Sequence, residues 1–411
     1  MNNLVFSQLR QRADYTHKYN LKTGRHGWLR LTPAYSVRIV EELMDRTEGR
    51  LRVFDPFCGT ATTALSAAYH GHDAVTTDIN PFLVWFGQAK TSRYSAATIA
   101  QARDSGEEIL ALLGNGGAEP GPPPPIHNIE RWWPPEALDF LCRLQAAIDE
   151  IVSTETDEGR LLRIAFCRTL IACSNAAFNH QSMSFKDTAQ LESALQPDHP
   201  GLFKEDLAFV LKGAAENPAG EASATLHDAR ELSALKTEPF DLVVTSPPYA
   251  NRMSYIRELR PYMYWLRFLE NGRDAGDLDW LAIGGTWGVA TSRLNDWAPD
   301  EKAYTSDELE TTLARVASPG NANGALLANY IRKYCVDMAK HFAGLREILA
   351  PGAELHYIVG NSTFYGELLS VEKIYARIMA ELGFTEISIR AIRKRNSKKE
   401  LVEFDVSAKW P

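Results

Sequence analysis

The chain has 411 residues, of which 45% are apolar and 23% charged, the make-up of a globular protein able to bury a real core. Its length exceeds that of a typical single domain, so one large domain with insertions, or two domains, is expected. Lys plus Arg number 44 against 52 for Asp plus Glu, a net charge of -8, which excludes binding nucleic acid through overall charge and leaves that role to local basic patches.

The N-terminal stretch MNNLVFSQLRQRADYTHKYN lacks the apolar core of a signal peptide. No later stretch has the length to span a bilayer, so a soluble, cytoplasmic protein without a membrane partner is expected. Lys18, Lys22, Arg25, His26 and Arg30 form a first basic cluster, which reads equally well as a solvated face. Residues 36–46, SVRIVEELMDR, have helical apolar spacing, and residues 51–54 form a short buried-strand candidate. DPFCGTATTALSAAYHGHDAVTTDINPF then reads as loop, helix, turn at Gly71, strand and an acidic strand end at Asp78, a β-α-β unit.

Residues 114–128 are too rich in Gly and Pro for regular structure and read as a linker. Residues 129–220 have helical periodicity and read as a helical insertion. The β-α alternation resumes at residues 221–269, with strands expected in ATLHDAREL and FDLVVTSPPY. Residues 270–325 look irregular and polar, a second insertion broken by GGTWG and SPGNANGA. In residues 326–411 an amphipathic helix, closed by Pro351 and Gly352, precedes a strand, a helix and a final hairpin. Five cysteines without a CxxC pair suggest a reducing compartment and no metal site. The expected fold is α/β: an open, mostly parallel Rossmann-like sheet with a C-terminal β-hairpin and two insertions, one largely helical. Residues 1–113, 221–269 and 326–411 supply its catalytic domain, and sites in such sheets lie at the carboxyl ends of strands.

Two strand ends carry chemistry. At the first, Asp55-Pro56-Phe57-Cys58-Gly59-Thr60 makes a small strand-to-helix turn that lets backbone approach a ligand. Asp78, about 20 residues on, can accept from two ribose hydroxyls. The turn is neither GxGxxG nor GxxxxGK[ST], so dinucleotide and phosphate-cradle readings lose ground, while many nucleotide-like ligands stay open. At the second, Leu242-Val243-Val244 runs into Thr245-Ser246-Pro247-Pro248-Tyr249, where two prolines stop the sheet and freeze the exit.

With both sites present, the sequence resembles the amino-group DNA methyltransferases: DPFCGT matches motif I, TDINP motif II, HDAR motif III, TSPPY motif IV and LTPAYS motif X. The resemblance covers the α/β part, roughly residues 26–95 and 224–410. It implies S-adenosylmethionine as cofactor and double-stranded DNA as substrate, within a restriction-modification system whose separately encoded endonuclease would be a partner. The turn residues Asp55, Pro56, Phe57, Cys58, Gly59 and Thr60 would surround the methionine part, and Asp78 with Ile79 the ribose. Asp228 with Ala229 would meet the adenine amino group, and Thr32, Ala34 and Tyr35 would close over the carboxylate end. A second glycine usual in the family is Ala61 here, a substitution tolerated where φ is negative.

A ring amine is a poor nucleophile because its lone pair is delocalised. It needs acceptors that bend the NH2 toward sp3 and aim it at the methyl donor. Ser246 and the carbonyl of Pro247 are those acceptors in the resemblance, Pro248 fixes them, and Tyr249 offers a face for a flipped-out base. The Ser form of the motif leans toward cytosine N4 over adenine N6; an RNA amino-methyltransferase and a silent partner subunit are the rival readings. No catalytic cysteine is needed, and Cys58 reads as a small buried residue. Arg252, Arg257 and Arg260, and Arg393, Lys394 and Arg395 within RKRNSKKE, are the DNA-contact candidates. FNHQSMSF, residues 178–185, is a second candidate, read first as a helix end and loop. Tyr262, Tyr264, Trp265 and Phe268 fall at helical spacing and read as core. The sequence leaves the oligomeric state open.

Overall fold

A computed structural model describes residues 9–10, 12–21, 23–31, 35–177, 184–186, 198–286, 289–395 and 401–411. Thr32 and Ala34 lie outside these residues, as do Lys398, Lys399 and residues 178–183 of FNHQSMSF.

Seven strands form the main sheet: β1 (Arg52–Asp55), β2 (Asp73–Asp78), β3 (Ala222–Leu226), β4 (Phe240–Thr245), β5 (Leu349–Gly360), β6 (Thr385–Lys394) and β7 (Val402–Lys409). Their spatial order is 3-2-1-4-5-7-6. β3, β2, β1, β4 and β5 are parallel neighbours, and β7 alone runs antiparallel, to both β5 and β6. This is an open, mostly parallel Rossmann-like sheet closed at one edge by a hairpin.

The centre is apolar on both faces, as helices on both sides of a parallel sheet require. Leu242 and Val244 of β4 join Val53 in a core completed by Val40, Leu43 and Met44 of α1 (Val37–Met44) and by Ala64 and Ala67 of α2 (Thr62–Tyr69). Val243, between them on β4, points the other way. It joins Phe54, Leu355 and Tyr357 in a core shared with Tyr330, Tyr334, Met338 and Phe342 of a long later helix.

A third core is mostly helical. It joins Phe82 and Phe86 of α3 (Pro81–Thr91), Ala102 and Ile109 of α4 (Ala96–Gly114), Leu141 and Leu144 of α5 (Pro135–Ile151), Leu162 and Phe166 of α6 (Asp157–Ala172) and Phe203 and Leu207 of α7 (His199–Ala214). α8 (Tyr255–Trp265), which follows the TSPPY strand end, adds Tyr262, Tyr264 and Trp265, all buried, and Phe268 packs beside them.

Three expectations are corrected. Residues 270–325 are not irregular: they hold α9 (Gly272–Leu281), α10 (Val289–Asp296) and α11 (Asp307–Val316). A capping box of Asn271 and Asp274 starts α9, and Leu309, Leu313 and Val316 give α11 a buried stripe. Pro351 and Gly352 do not close the amphipathic helix. That helix, α12 (Gly324–Leu345), ends earlier, and the pair forms an irregularity inside β5, where pairing shifts between Phe240–Leu349 and Leu242–Glu354 and Gly352 has φ 84. The first basic cluster is not one solvated face. Arg25 is fully buried, donating to the carbonyls of Gly213, Lys90, Ser92 and Ala214 and to Asn217, and His26 is buried next to it. α13 (Val371–Glu381) completes the layer over β5, β6 and β7.

Candidate active site

β1 ends at Asp55, which is fully buried. Its Oδ1 accepts from the backbone N of Phe57 (3.1 Å) and from Thr245 Oγ1 (2.6 Å), so one carboxylate ties the end of β1 to the end of β4. Its Oδ2 is buried without a hydrogen-bond partner, and burial raises the group to about 7. Thr63 Oγ1 of α2 donates to Val244 O (2.9 Å) and is hydrogen-bonded to Tyr35 Oη, so Tyr35 is fastened through α2 to the end of β4.

The turn after Asp55 is held by Cys58 N to Thr77 O (2.8 Å) and Ala61 N to Cys58 O (2.7 Å). Gly59 has φ 49, and a Cβ built there meets only Phe57 O at 3.7 Å, leaving a face open for a ligand. Ala61 has φ 53 and ψ 35, so the negative φ under which alanine is tolerated is not met: a buried alanine caps α2 in the left-handed region. Gly87 lets α3 close on the turn, since a Cβ there would meet Cys58 Sγ at 2.9 Å. Cys58 is buried and burial pushes its thiol up, as for a structural residue.

Asp78 ends β2. It accepts from Gly59 N (3.1 Å) and Asn80 N (2.9 Å), keeps part of its surface open, and is raised to about 6 by burial. Lys90, which the sequence did not single out, is fully buried, donates to Thr60 O and is pushed down to about 7 by burial. A lysine in an apolar helix gives no sequence signal of that kind. Asp228 is already engaged: Arg230 Nε donates to it at 2.9 and 3.2 Å and Nη2 at 2.5 Å. Burial opposes its ionisation, but those bonds outweigh it and hold the carboxyl below the usual range. Ala229 O contacts His341 Nδ1 (2.8 Å), whose ring lies 5.0 Å from Phe57.

β4 ends in the proline pair. Tyr334 Oη donates to Pro248 O (2.8 Å), and Tyr249 Oη donates to Glu403 Oε1 (2.8 Å) on β7. Burial, with the Glu403 charge next, raises Tyr249 well above the ordinary phenol value. Arg395 sits 4.7 Å from the centre of the Tyr249 ring, covering one face, and donates to Asn361 O (2.7 Å). Arg393 donates to Glu403 at 2.8 and 3.1 Å. The last hairpin therefore contributes Arg393, Glu403 and Arg395 to the wall behind Tyr249. Lys394 is half-buried in β6, its backbone N donating to Arg10 O (3.3 Å).

One cavity of about 950 Å³ gathers these groups. It is lined by Tyr35, by Pro56, Phe57, Cys58, Gly59 and Thr60, by Asp78 and Ile79, and by Asp228 and Ala229. Ser246, Pro247, Pro248 and Tyr249, with Arg393 and Arg395, line it from the β4 side. It lies at the carboxyl ends of β1, β2, β3 and β4, where open α/β sheets place ligands. Arg12, Lys18, Arg30 and Glu403 also line it; Lys18 and Arg30 come from the first basic cluster, while nothing in the sequence marked Arg12 or Glu403. Of the other DNA-contact candidates, Arg252 and Arg257 are exposed, and Arg260 stacks 5.0 Å from Trp132. Phe185 packs edge-on against Trp132 at 5.0 Å, with Arg131 4.2 Å from its ring. No group of side chains that could hold a metal occurs among the described residues, and no helix among them is long and apolar enough to cross a membrane.

No family model matches the chain. Among curated proteins it is 22% identical over 371 residues to the type II methyltransferase M.MvaI of Kocuria varians, covering 85% of this chain and 78% of that one. It is 20% identical over 439 residues to the type II methyltransferase M.BsoBI of Geobacillus stearothermophilus, covering 95% and 84%. The type II methyltransferase M.AvaI of Anabaena variabilis is 23% identical over 426 residues, covering 93% and 84%. The solved rRNA methyltransferase aviRa of Streptomyces viridochromogenes aligns over 92% of this chain at 11% identity with a TM-score of 0.30, too low to bear on substrate. The relatives are thus type II methyltransferases, matched along most of their length.

Proposed function

We propose that the protein is a site-specific DNA methyltransferase that uses S-adenosylmethionine to methylate the exocyclic N4 of a flipped-out cytosine, as the modifying half of a restriction-modification pair. The carrying observation is one cavity in which an acidic, Gly-containing turn and Ser246-Pro247-Pro248-Tyr249 face the same space, locked together by the Asp55–Thr245 bond. The similarity to type II methyltransferases supports the reaction class. The Ser form of motif IV supports cytosine N4 over adenine N6.

The residues fit such a cofactor. The open face at Gly59 and the half-open Asp78 carboxylate, both lining the cavity, together suit a ligand with ribose hydroxyls. When bound, S-adenosylmethionine supplies an electrophilic methyl group on a sulfonium. Ser246 Oγ and the Pro247 carbonyl accept from the target amine, and Pro247 and Pro248 keep the carbonyl direction fixed. Tyr249 stacks on the base with the ring face that Arg395 leaves free, and its own hydroxyl is anchored on Glu403. Asp228 can meet an adenine amino group only with lone pairs that Arg230 does not use.

The test is transfer of labelled methyl from S-adenosylmethionine to duplex DNA and, in parallel, to RNA. Incorporation into DNA that Ser246→Ala abolishes, with cofactor binding retained, is the expected result. Label confined to RNA contradicts the reading.

A further inference from the structure

Next to the main cavity, and sharing Asn251 and Arg395 with it, lies a second cavity of about 280 Å³. Its floor is the chain leaving β5: Asn361, Ser362 and Phe364 are buried there. Ser362 is 4% exposed, and its Oγ has no hydrogen-bond partner. A buried hydroxyl left unsatisfied is costly, and because Ser362 lines the cavity, a polar ligand atom there can supply the missing partner.

The lips of the cavity carry a cation and a ring. Arg252 is exposed, and its backbone is held in the left-handed region (φ 62) by Arg252 N donating to Tyr330 Oη (3.2 Å) and by Thr286 Oγ1 donating to Arg252 O (3.3 Å). Tyr365 is 47% exposed at the tip of a small hairpin, Ser362–Phe364 paired with Glu367–Leu369. Tyr365 (φ 51) and Gly366 (φ 86) are both left-handed, the form of hairpin turn that favours Asn-Gly. The turn itself does not call for an aromatic residue there, and the ring stands at the cavity mouth.

We propose that this second cavity receives the nucleotide next to the flipped one on the same strand. Ser362 Oγ and Arg252 take its phosphate, and Tyr365 stacks on its base. The inference rests on the DNA reading above. A hydroxyl, a guanidinium and an exposed ring around one small cavity are the chemistry that a phosphate and an attached base require. The wall between the cavities is Arg395, which reaches Asn361 O on one side and the Tyr249 ring on the other. Occupancy of the second cavity therefore bears on the guanidinium behind the base-stacking tyrosine, and the flanking nucleotide contributes to target choice.

Once the methylated position is mapped, duplexes with one uncharged methylphosphonate linkage on either side of the target test this. For the unaltered protein, kcat/KM should fall about tenfold for the linkage on one side only, the size of a lost charged hydrogen bond. Ser362→Ala and Arg252→Met should lose a similar factor on ordinary DNA and little more on the modified duplex. Tyr365→Ala should be insensitive to removal of the neighbouring base, to which the unaltered protein is sensitive. Indifference of the unaltered protein to the linkage on both sides, or losses that simply multiply, would overturn the proposal while leaving the DNA reading standing. Because the linkage change is in the DNA, that outcome does not depend on any variant folding. Absence of transfer to any DNA defeats the underlying reading, and this one with it.

Discussion

Asp55 has two tasks that pull against each other. Its burial supplies the tie between β1 and β4, yet raises its folded pKa from 3.8 to about 7. The folded protein then holds a proton that the unfolded chain has released between about pH 4 and 7, so stability falls as pH rises through that window. Asp55→Asn removes this penalty, which at full size is up to ~4 kcal/mol. The variant is expected to be more stable than the parent in urea at pH 8, with the gap closing toward pH 5, and to bind S-adenosylmethionine more weakly. A gap independent of pH would rule out an ionised, penalised Asp55. At Tyr249 the ring and the hydroxyl separate cleanly. Tyr249→Phe loses the bond to Glu403, which Arg393 still pairs, and the hydroxyl contact with Ser246, but keeps the ring, whereas Tyr249→Ala loses base stacking of ~1–3 kcal/mol. Steady-state kinetics should show a small loss for the first and roughly 5–150-fold for the second; equal losses would remove the stacking role. The identities at both strand ends were legible in sequence because chemistry restricts them to few residue types. Glu403 and Lys90 were not, and Arg395 was legible only as a DNA-contact candidate, since each acts on a turn distant in the chain through a contact only the fold creates.

Among the elements, Arg25 shows how a local pattern misleads. In sequence it belongs to a basic cluster, but in the fold its guanidinium gathers carbonyls at the ends of α3 and α7, binding these two helices of the helical core to each other. Arg25→Met is expected to lower unfolding free energy by roughly 3 kcal/mol while leaving the salt dependence of DNA binding unchanged. A variant of full stability with a shallower salt slope would restore the surface reading. The helices of residues 270–325 were written in the sequence as a capping box and a Leu309, Leu313, Val316 stripe, but Gly-Gly and Ser-Pro-Gly breakers between them dominated the impression. Pro351 and Gly352 misled for the reverse reason, because a wide irregularity in a long strand uses the same residues as a helix stop. The parallel strands were the most legible elements, since their two buried faces leave short, continuous apolar runs.

At the scale of the whole molecule, the proposed substrate requires a chain of net charge -8 to meet an anionic duplex through placement of a few cations. Arg12, Lys18, Arg30, Arg393 and Arg395 line the main cavity, with Arg252 and Arg257 exposed beyond it. If Arg257 neutralises one phosphate, Arg257→Ala should reduce the slope of log K against log salt by about 0.9, uniformly across DNA sequences. An unchanged slope would remove that contact. The sheet order, the locked strand ends and the similarity to type II methyltransferases support the proposed transfer of a methyl group to DNA. The most direct measurement is mass-spectrometric nucleoside analysis of duplex DNA after incubation with the protein and S-adenosylmethionine. N4-methyldeoxycytidine, absent with Ser246→Ala, is the expected product; N6-methyldeoxyadenosine, or unmodified DNA, would contradict it.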